Sequence, residues 1–120
     1  MAKKDNNRHY IDVDLIAKLV YNEEKYIKEF AGASLESFSE FKEDYSRYLL
    51  DRDETKFRKA GHKIKPIAQM LEIDAIIDEY EYAKTLLWEE KEQSKLEKSA
   101  SKITNICNTI IEELEQIRDG

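Results

Sequence analysis

Apolar side chains recur every three or four positions along most of the chain, with polar side chains between them. In a helix of about 3.6 residues per turn, this spacing gathers the apolar side chains on one side. The pattern predicts a short helix within residues 11–20 and four long amphipathic helices over 23–50, 54–71, 75–90 and 94–117.

Each predicted helix has a set of positions that should face a common core. These positions are Leu15, Ile16, Leu19 and Val20 in the short helix, Ile27, Phe30, Ser34, Phe38, Phe41, Tyr45 and Tyr48 in the first long helix, Phe57, Ala60, Gly61, Ile64, Ile67, Ala68 and Leu71 in the second, Ile76, Ile77, Tyr80, Ala83, Leu86 and Leu87 in the third, and Leu96, Ala100, Ile103, Cys107, Ile110, Leu114 and Ile117 in the fourth.

Four residues near helix ends or on apolar sides have expected structural roles. Asp53 and Asp74 each precede a predicted helix, where a carboxylate can cap free backbone N–H groups. We expect Trp88 to seal one end of the core and Cys107 to be a small buried side chain. Together the helices predict an all-α fold, an antiparallel four-helix bundle with a short extra N-terminal helix.

The same pattern predicts the domain organisation. Residues 1–10 lack apolar periodicity, so we expect a flexible N-terminal tail in which His9 is solvated and has no role. Residues 11–120 are expected to form a single helical bundle domain, a length that can bury one core without disulfides.

Composition and charge narrow the classes of function. Charged residues make up 38% of the chain and there are only 3 Gly and 1 Pro, which favours long helices over a sheet with many turns. The formal net charge of −6 disfavours binding to nucleic acid or to an anionic membrane. One cysteine, no secretory signal pattern and no apolar run near the roughly 20 residues of a membrane span lead us to expect a cytoplasmic location. We expect a monomer, because four helices already use most of the apolar positions among themselves.

The segment FRKAGHKIKPIAQM, residues 57–70, concentrates positive charge around His62. A helical projection places His62 about 160° from the mean direction of the apolar positions, on the solvent side with Arg58, Lys65 and Gln69. Nearby positive charge disfavours the protonated imidazole, so we expect a neutral ring with one nitrogen free to attack phosphorus. A phosphorylated ring carries close to two negative charges, which a lysine one turn away can stabilise.

The order His62-Lys63-Ile64-Lys65, on the second long helix of a bundle of about this length, resembles the phosphoacceptor motif of histidine-containing phosphotransfer (HPt) domains. The resemblance covers nearly the whole chain from about Ile11. Pro66 departs from the family pattern, which usually has a glycine there to leave room for the partner.

The resemblance implies a phosphorelay intermediate in two-component signalling. His62 would accept a phosphoryl group from a receiver-domain aspartate and pass it to another, and Lys65 would neutralise the phosphoryl charge. The implied partners are a response-regulator receiver domain, a hybrid histidine kinase or both, with Mg²⁺ on the receiver. The surface that binds them would include Arg58, Lys59, Gln69 and Pro66.

Other classes of activity have no supporting motif. The chain has no Gly-rich phosphate loop and no nucleotide-binding boxes of a histidine kinase, so we expect a phosphocarrier and not an enzyme. Neither histidine has a glutamate three positions before it, so no di-iron site, metal or other cofactor is predicted. Two alternatives stay open: a helical adaptor that binds a receiver or kinase without carrying phosphate, and a dimer formed through the last helix.

Overall fold

Five α-helices contain 83% of the residues that the computed structural model describes, residues 9–120, and none of those residues is in a strand. The all-α prediction is therefore confirmed, whereas residues 1–8 of the predicted tail lie outside the described part. The helices are α1 (Val13–Leu19), α2 (Glu24–Leu50), α3 (Glu54–Met70), α4 (Asp74–Trp88) and α5 (Gln93–Asp119).

The helices pack side by side around one core. The most extensive contact joins α2 to α5, while α3 contacts both α2 and α4, and α4 contacts α5. The short α1 packs on α2. No helix among the described residues is both long and apolar enough to cross a membrane.

Most predicted core positions are buried, because helical periodicity alone decides which side of a long helix faces its neighbours. In α5, every predicted position from Leu96 to Leu114 is buried, and Ile117 is partly buried. Cys107 is fully buried, and burial raises the pKa of its thiol to about 12. The prediction of a small buried side chain is confirmed there.

Two expectations about burial are wrong. Trp88 is 77% exposed, because it lies about 100° around α4 from Leu87 and thus off the apolar side. In α1 only Ile16 is buried, and Leu19 is 38% exposed, since a helix of seven residues contacts the core through little more than one turn.

Asp74 is the first residue of α4 and not its cap; Ile73 occupies that position, with no side-chain hydrogen bond to the helix end. Ile73 is only 2% exposed, so its side chain packs in the core directly before the helix. The helix therefore begins at Asp74, one residue earlier than the sequence predicts. Asp74 still adds negative charge to the first turn, where the helix dipole favours it. The other predicted cap is confirmed, because the Asp53 carboxylate accepts a hydrogen bond from the backbone of Lys56.

The connections after α2, α3 and α4 end each helix in the same way. Arg52, Glu72 and Glu90 have left-handed φ values of 58°, 58° and 53°. This conformation costs a residue with a side chain about 1 kcal/mol, and glycine usually occupies it. The free carbonyls are satisfied by backbone bonds of the same type, from Asp53 to Tyr48 (2.9 Å), from Ile73 to Ala68 (2.8 Å) and from Lys91 to Leu86 (2.9 Å).

The start of the described chain is attached to α5 through Glu113. One carboxylate oxygen accepts hydrogen bonds from the backbone of Tyr10 at 3.0 Å and of Ile11 at 2.8 Å, and the other lies 3.0 Å from Nδ1 of His9. The His9 side chain is 80% exposed, as expected, but it has a partner.

A buried polar group joins α2 to α4 and α5. The Tyr45 hydroxyl donates to the main-chain carbonyl of Glu79 at 3.1 Å and lies 2.7 Å from Ser99 Oγ. Ser99 Oγ donates to the Glu79 carboxylate at 2.7 Å, and Lys102 Nζ lies 3.2 Å from its other oxygen. Glu79 is only 6% exposed, so these partners replace the water that it loses.

We predict that Tyr45→Phe lowers the free energy of unfolding at pH 7 by about 1 kcal/mol, because it removes the shared hydroxyl. Burial raises the pKa of Tyr45 above its ordinary value of 10.0. The contribution of this proton to stability is therefore complete below that value and is lost as the pH rises through the folded-state pKa. Urea unfolding above pH 10 should show a weaker pH dependence in the variant.

Tyr82→Phe is the control, because Tyr82 is 49% exposed and its hydroxyl has no hydrogen bond among the described residues. Its free energy of unfolding at pH 7 should stay within about 0.5 kcal/mol of wild type. An identical alkaline pH dependence in wild type and Tyr45→Phe would contradict the prediction.

Candidate functional site

His62 lies in the middle of α3 with its side chain exposed. Its neighbours Gly61 and Ile64 are buried, whereas Lys63 and Pro66 are exposed. The structure therefore confirms the prediction that the imidazole of His62 faces solvent. Exposure leaves the ring reachable by another protein.

The cations near His62 are mostly paired with carboxylates, so the positive cluster expected from the sequence is partly neutralised. Arg58 Nε lies 3.3 Å from Glu54 Oε2, one turn earlier on α3. Lys63 Nζ lies 3.0 Å from Glu40 Oε2 on α2. Lys59 is exposed, and no carboxylate of the described residues is within salt-bridge distance of it.

Lys65, the predicted phosphate-neutralising residue, shares a carboxylate of α4 with a second lysine. Its Nζ lies 3.0 Å from Glu81 Oε2, and Lys84 Nζ lies 2.9 Å from Glu81 Oε1. Hydrogen bonds from Lys84 and then Lys65 lower the pKa of Glu81. Both side chains of the α3–α4 contact are partly exposed, at 38% for Lys65 and 43% for Glu81, so solvent screens this pair.

The helices α3 and α4 are in tight contact at Gly61, next to His62. A Cβ added at Gly61 would overlap the ring of Tyr80. The Tyr80 hydroxyl donates to the main-chain carbonyl of Arg58 at 3.4 Å, and Lys84 Nζ lies 5.1 Å from the centre of the Tyr80 ring. Burial, with a smaller effect of Glu81, raises the pKa of Tyr80. The missing side chain at position 61 therefore lets α4 bring its charged residues close to α3.

Pro66 and Gln69 are exposed on the C-terminal half of α3. Proline has no N–H, so the carbonyl of His62 lacks its usual helical partner four residues on. The helix nevertheless continues through Pro66 to Met70. The proline ring stands on the solvent side, one turn from His62.

Within residues 9–120, no three His, Cys, Asp or Glu side chains converge in a way that could hold a metal ion. Comparisons with protein-family models, with curated proteins and with solved structures found no match to this chain.

Sequence reasoning missed Tyr80, Glu81 and Lys84 as parts of the site. The sequence predicts Tyr80 as a core position and assigns no role to the other two. The only local signal was the spacing of Glu81 and Lys84, three positions apart on one helix face. The contacts of Tyr80 and Glu81 with α3 are tertiary, so the spacing along the chain could not have revealed them.

We predict that Gly61→Ala lowers the free energy of unfolding by about 1–3 kcal/mol, because the methyl group forces the Tyr80 ring and α4 away. Gly32→Ala is the matched control in α2, where an added Cβ would meet only the Arg118 side chain, with Cδ at an ordinary 3.5 Å. That variant should gain about 0.5–1 kcal/mol from helix propensity. Denaturant unfolding checks both, and equal stabilisation of the two variants would rule out the close contact.

Proposed function

We propose that this chain is a phosphorelay intermediate of two-component signalling, which accepts a phosphoryl group on His62 from a receiver-domain aspartate and passes it to another. One observation carries the proposal: the imidazole of His62 is exposed in the middle of α3, and Lys65 follows three positions later. A helix holds the two backbone positions in a fixed relation, which suits a group that must meet a partner's active site.

The transfer needs little chemistry from this chain. A lone pair on the unprotonated ring nitrogen forms the N–P bond while the P–O bond of the aspartyl phosphate breaks, and the aspartate carboxylate leaves with the bonding electrons. The proton on the other ring nitrogen stays on the ring or exchanges with water. Return transfer to a second receiver reverses these bonds.

Lys65 lies one turn from His62, and its ammonium group is the candidate to neutralise the phosphoryl oxygens. Lys59 adds a cation without a carboxylate partner among the described residues. The surface offered to the partner comprises the exposed side chains of Arg58, Lys59, Pro66 and Gln69.

The fold proposed for this role is an antiparallel four-helix bundle formed by α2 to α5, with α1 as a short addition. The support is the connection length, since residues 51–53, 71–73 and 89–92 leave room only for a reversal of direction. The contacts of α3 with both α2 and α4 agree with this order.

The proposed protein is a phosphocarrier of the HPt type and not an enzyme. The receiver supplies Mg²⁺ and the acidic residues that activate the phosphoryl group, so the rate depends on the complex. The location proposed is the cytoplasm, because receivers and the catalytic parts of hybrid kinases act there. The oligomeric state proposed is a monomer.

A helical adaptor that carries no phosphate is the second candidate. The observation in its favour is that Arg58, Lys63 and Lys65 already have carboxylate partners. Trp88, 77% exposed at the end of α4, also offers an apolar contact that phosphate transfer does not require.

We predict that phosphoramidate, a small N–P donor, places one acid-labile and base-stable phosphate on the protein. His62→Gln should abolish this phosphate, because the nucleophilic nitrogen is gone. His9→Gln is the matched control, since His9 is the other histidine of the chain and is also exposed. Phosphate retention is measured by mass spectrometry after base treatment and by ³¹P NMR.

Two results would contradict the proposal, the first by rejecting phosphate transfer and the second by rejecting His62 as the acceptor. If wild type takes up no phosphate from phosphoramidate or from a phosphorylated receiver, the adaptor becomes the better proposal. If His62→Gln retains the phosphate and His9→Gln loses it, His62 is the wrong acceptor.

We predict that Pro66→Gly speeds transfer from a phosphorylated receiver by about three- to tenfold, because removing the ring lets the partner approach His62 more closely. Phosphorylation by phosphoramidate, which needs no docking, should change little. Pro66→Ala restores the backbone N–H but keeps a Cβ, so it separates helix repair from steric relief. Unchanged receiver kinetics in the Gly variant would mean that Pro66 has no part in docking.

A further inference from the structure

We propose that Glu81 is a positioning residue that competes with the phosphoryl group for Lys65 and thereby weakens the hold of the chain on its phosphate. This inference rests on the proposed function, with His62 as acceptor. It assigns a role to a residue of α4, outside the motif around the histidine.

In this proposal the Lys65 ammonium group has two alternative anionic partners, the Glu81 carboxylate and the phosphoryl group on His62. In the unphosphorylated chain its Nζ lies 3.0 Å from Glu81 Oε2, across the contact between α3 and α4. When His62 carries a phosphoryl group, close to two negative charges stand one turn away on the same helix. The Lys65 side chain is 38% exposed, so it can turn from one anion to the other without crossing a packed core.

Glu81 keeps a partner during this exchange. Lys84 Nζ lies 2.9 Å from the other carboxylate oxygen, Oε1, and only 27% of the Lys84 side chain is exposed. The carboxylate that releases Lys65 is therefore not left as a lone charge. The exchange of partners involves one partly exposed ion pair, which is a small effect by nature.

The position of Glu81 is fixed by its own helix. Lys84 also lies over the ring of Tyr80, and that ring packs against the backbone of Gly61 beside the histidine. The backbone of Glu81 therefore cannot move away from α3 without disturbing the contact of Tyr80 with Gly61. A carboxylate on this helix stays within reach of Lys65, and in the proposed phosphorylated state it would repel the phosphoryl group that Lys65 contacts.

This arrangement has a direct consequence for phosphate transfer. Competition for Lys65 and like-charge repulsion both raise the free energy of the phosphorylated chain relative to the free chain. The phosphoryl group is then passed on more readily, with the N–P bond breaking as a receiver aspartate forms the P–O bond. Lys65 returns to Glu81 when the phosphoryl group has left.

The test compares Glu81→Gln with Glu40→Gln. Both changes remove one carboxylate that lies 3.0 Å from a lysine of α3, but Glu40 contacts Lys63 and leaves Lys65 alone. The probe is phosphoramidate. When the imidazole nitrogen attacks phosphorus, phosphoramidate transfers its phosphoryl group to the ring and releases ammonia. The equilibrium ratio of phosphorylated to free chain is measured by ³¹P NMR at fixed phosphoramidate and ammonia.

Glu81→Gln should raise this ratio by about two- to fivefold, as expected for a partly exposed ion pair, and Glu40→Gln by less than about 1.5-fold. Glu81→Asp, which keeps the charge, should remain close to wild type. The difference should shrink in about 1 M KCl because salt screens exposed charges. A structural role alone would not produce this salt dependence.

A second readout does not depend on phosphate. A short pulse of acetic anhydride, followed by peptide mapping, reports how accessible the Lys65 amine is in the unphosphorylated chain. Glu81→Gln should raise acetylation of Lys65 about twofold or more, while Glu40→Gln should raise that of Lys63 instead. Thermal unfolding of each variant establishes that it is folded before either assay.

The outcomes separate the two proposals. Absence of phosphate on wild-type His62 would overturn the proposed function, and this inference with it. If His62 is phosphorylated but the Glu81→Gln and Glu40→Gln ratios are equal, or Glu81→Gln lowers the ratio, the inference falls and the phosphocarrier function stands.

Discussion

The contact between Gly61 and Tyr80 is the constraint on which the rest of the site depends. A glycine inside a helix lowers stability by about 0.5–1 kcal/mol relative to alanine. Here it allows an aromatic ring to lie directly on the α3 backbone, in a series of ring contacts that continues to Phe57 at 5.2 Å and from there to Tyr45 at 4.9 Å. The distance between α3 and α4 is thus set by a core contact, and the charged residues on the outside of that contact follow from it.

The long helices could be predicted from the sequence because burial on one side of a helix repeats with the helix itself. At helix ends that repetition no longer constrains the chain, and the wrong expectations for Trp88 and Asp74 both fall there. The turns could not be read fully either. Arg52, Glu72 and Glu90 adopt the left-handed conformation that glycine usually adopts at the end of a helix. Because none of the three is a glycine, the sequence does not indicate this conformation.

The candidate site divides in the same way. The exposure of His62 follows from its place in the helical repeat, and the sequence predicts it. The partners of the surrounding cations do not follow, because Glu40 and Glu81 belong to other helices. Summing charges along residues 57–70 therefore overstated the positive charge around the histidine. Which cations are free is a property of the packing and not of the segment.

Paired cations fit a carrier better than free ones would, on the function proposed here. A site of unpaired lysines would hold a phosphoryl group strongly and release it slowly, whereas a relay needs states of similar free energy on both sides of each transfer. Exposed ion pairs differ by only about 0.2–1 kcal/mol from their separated forms, so exchanging one anion for another changes little. The same carboxylates that neutralise the surface before phosphorylation would keep the phosphorylated state from becoming too stable. A cluster whose cations are mostly paired with carboxylates is, for this reason, compatible with a phosphate that must both arrive and leave.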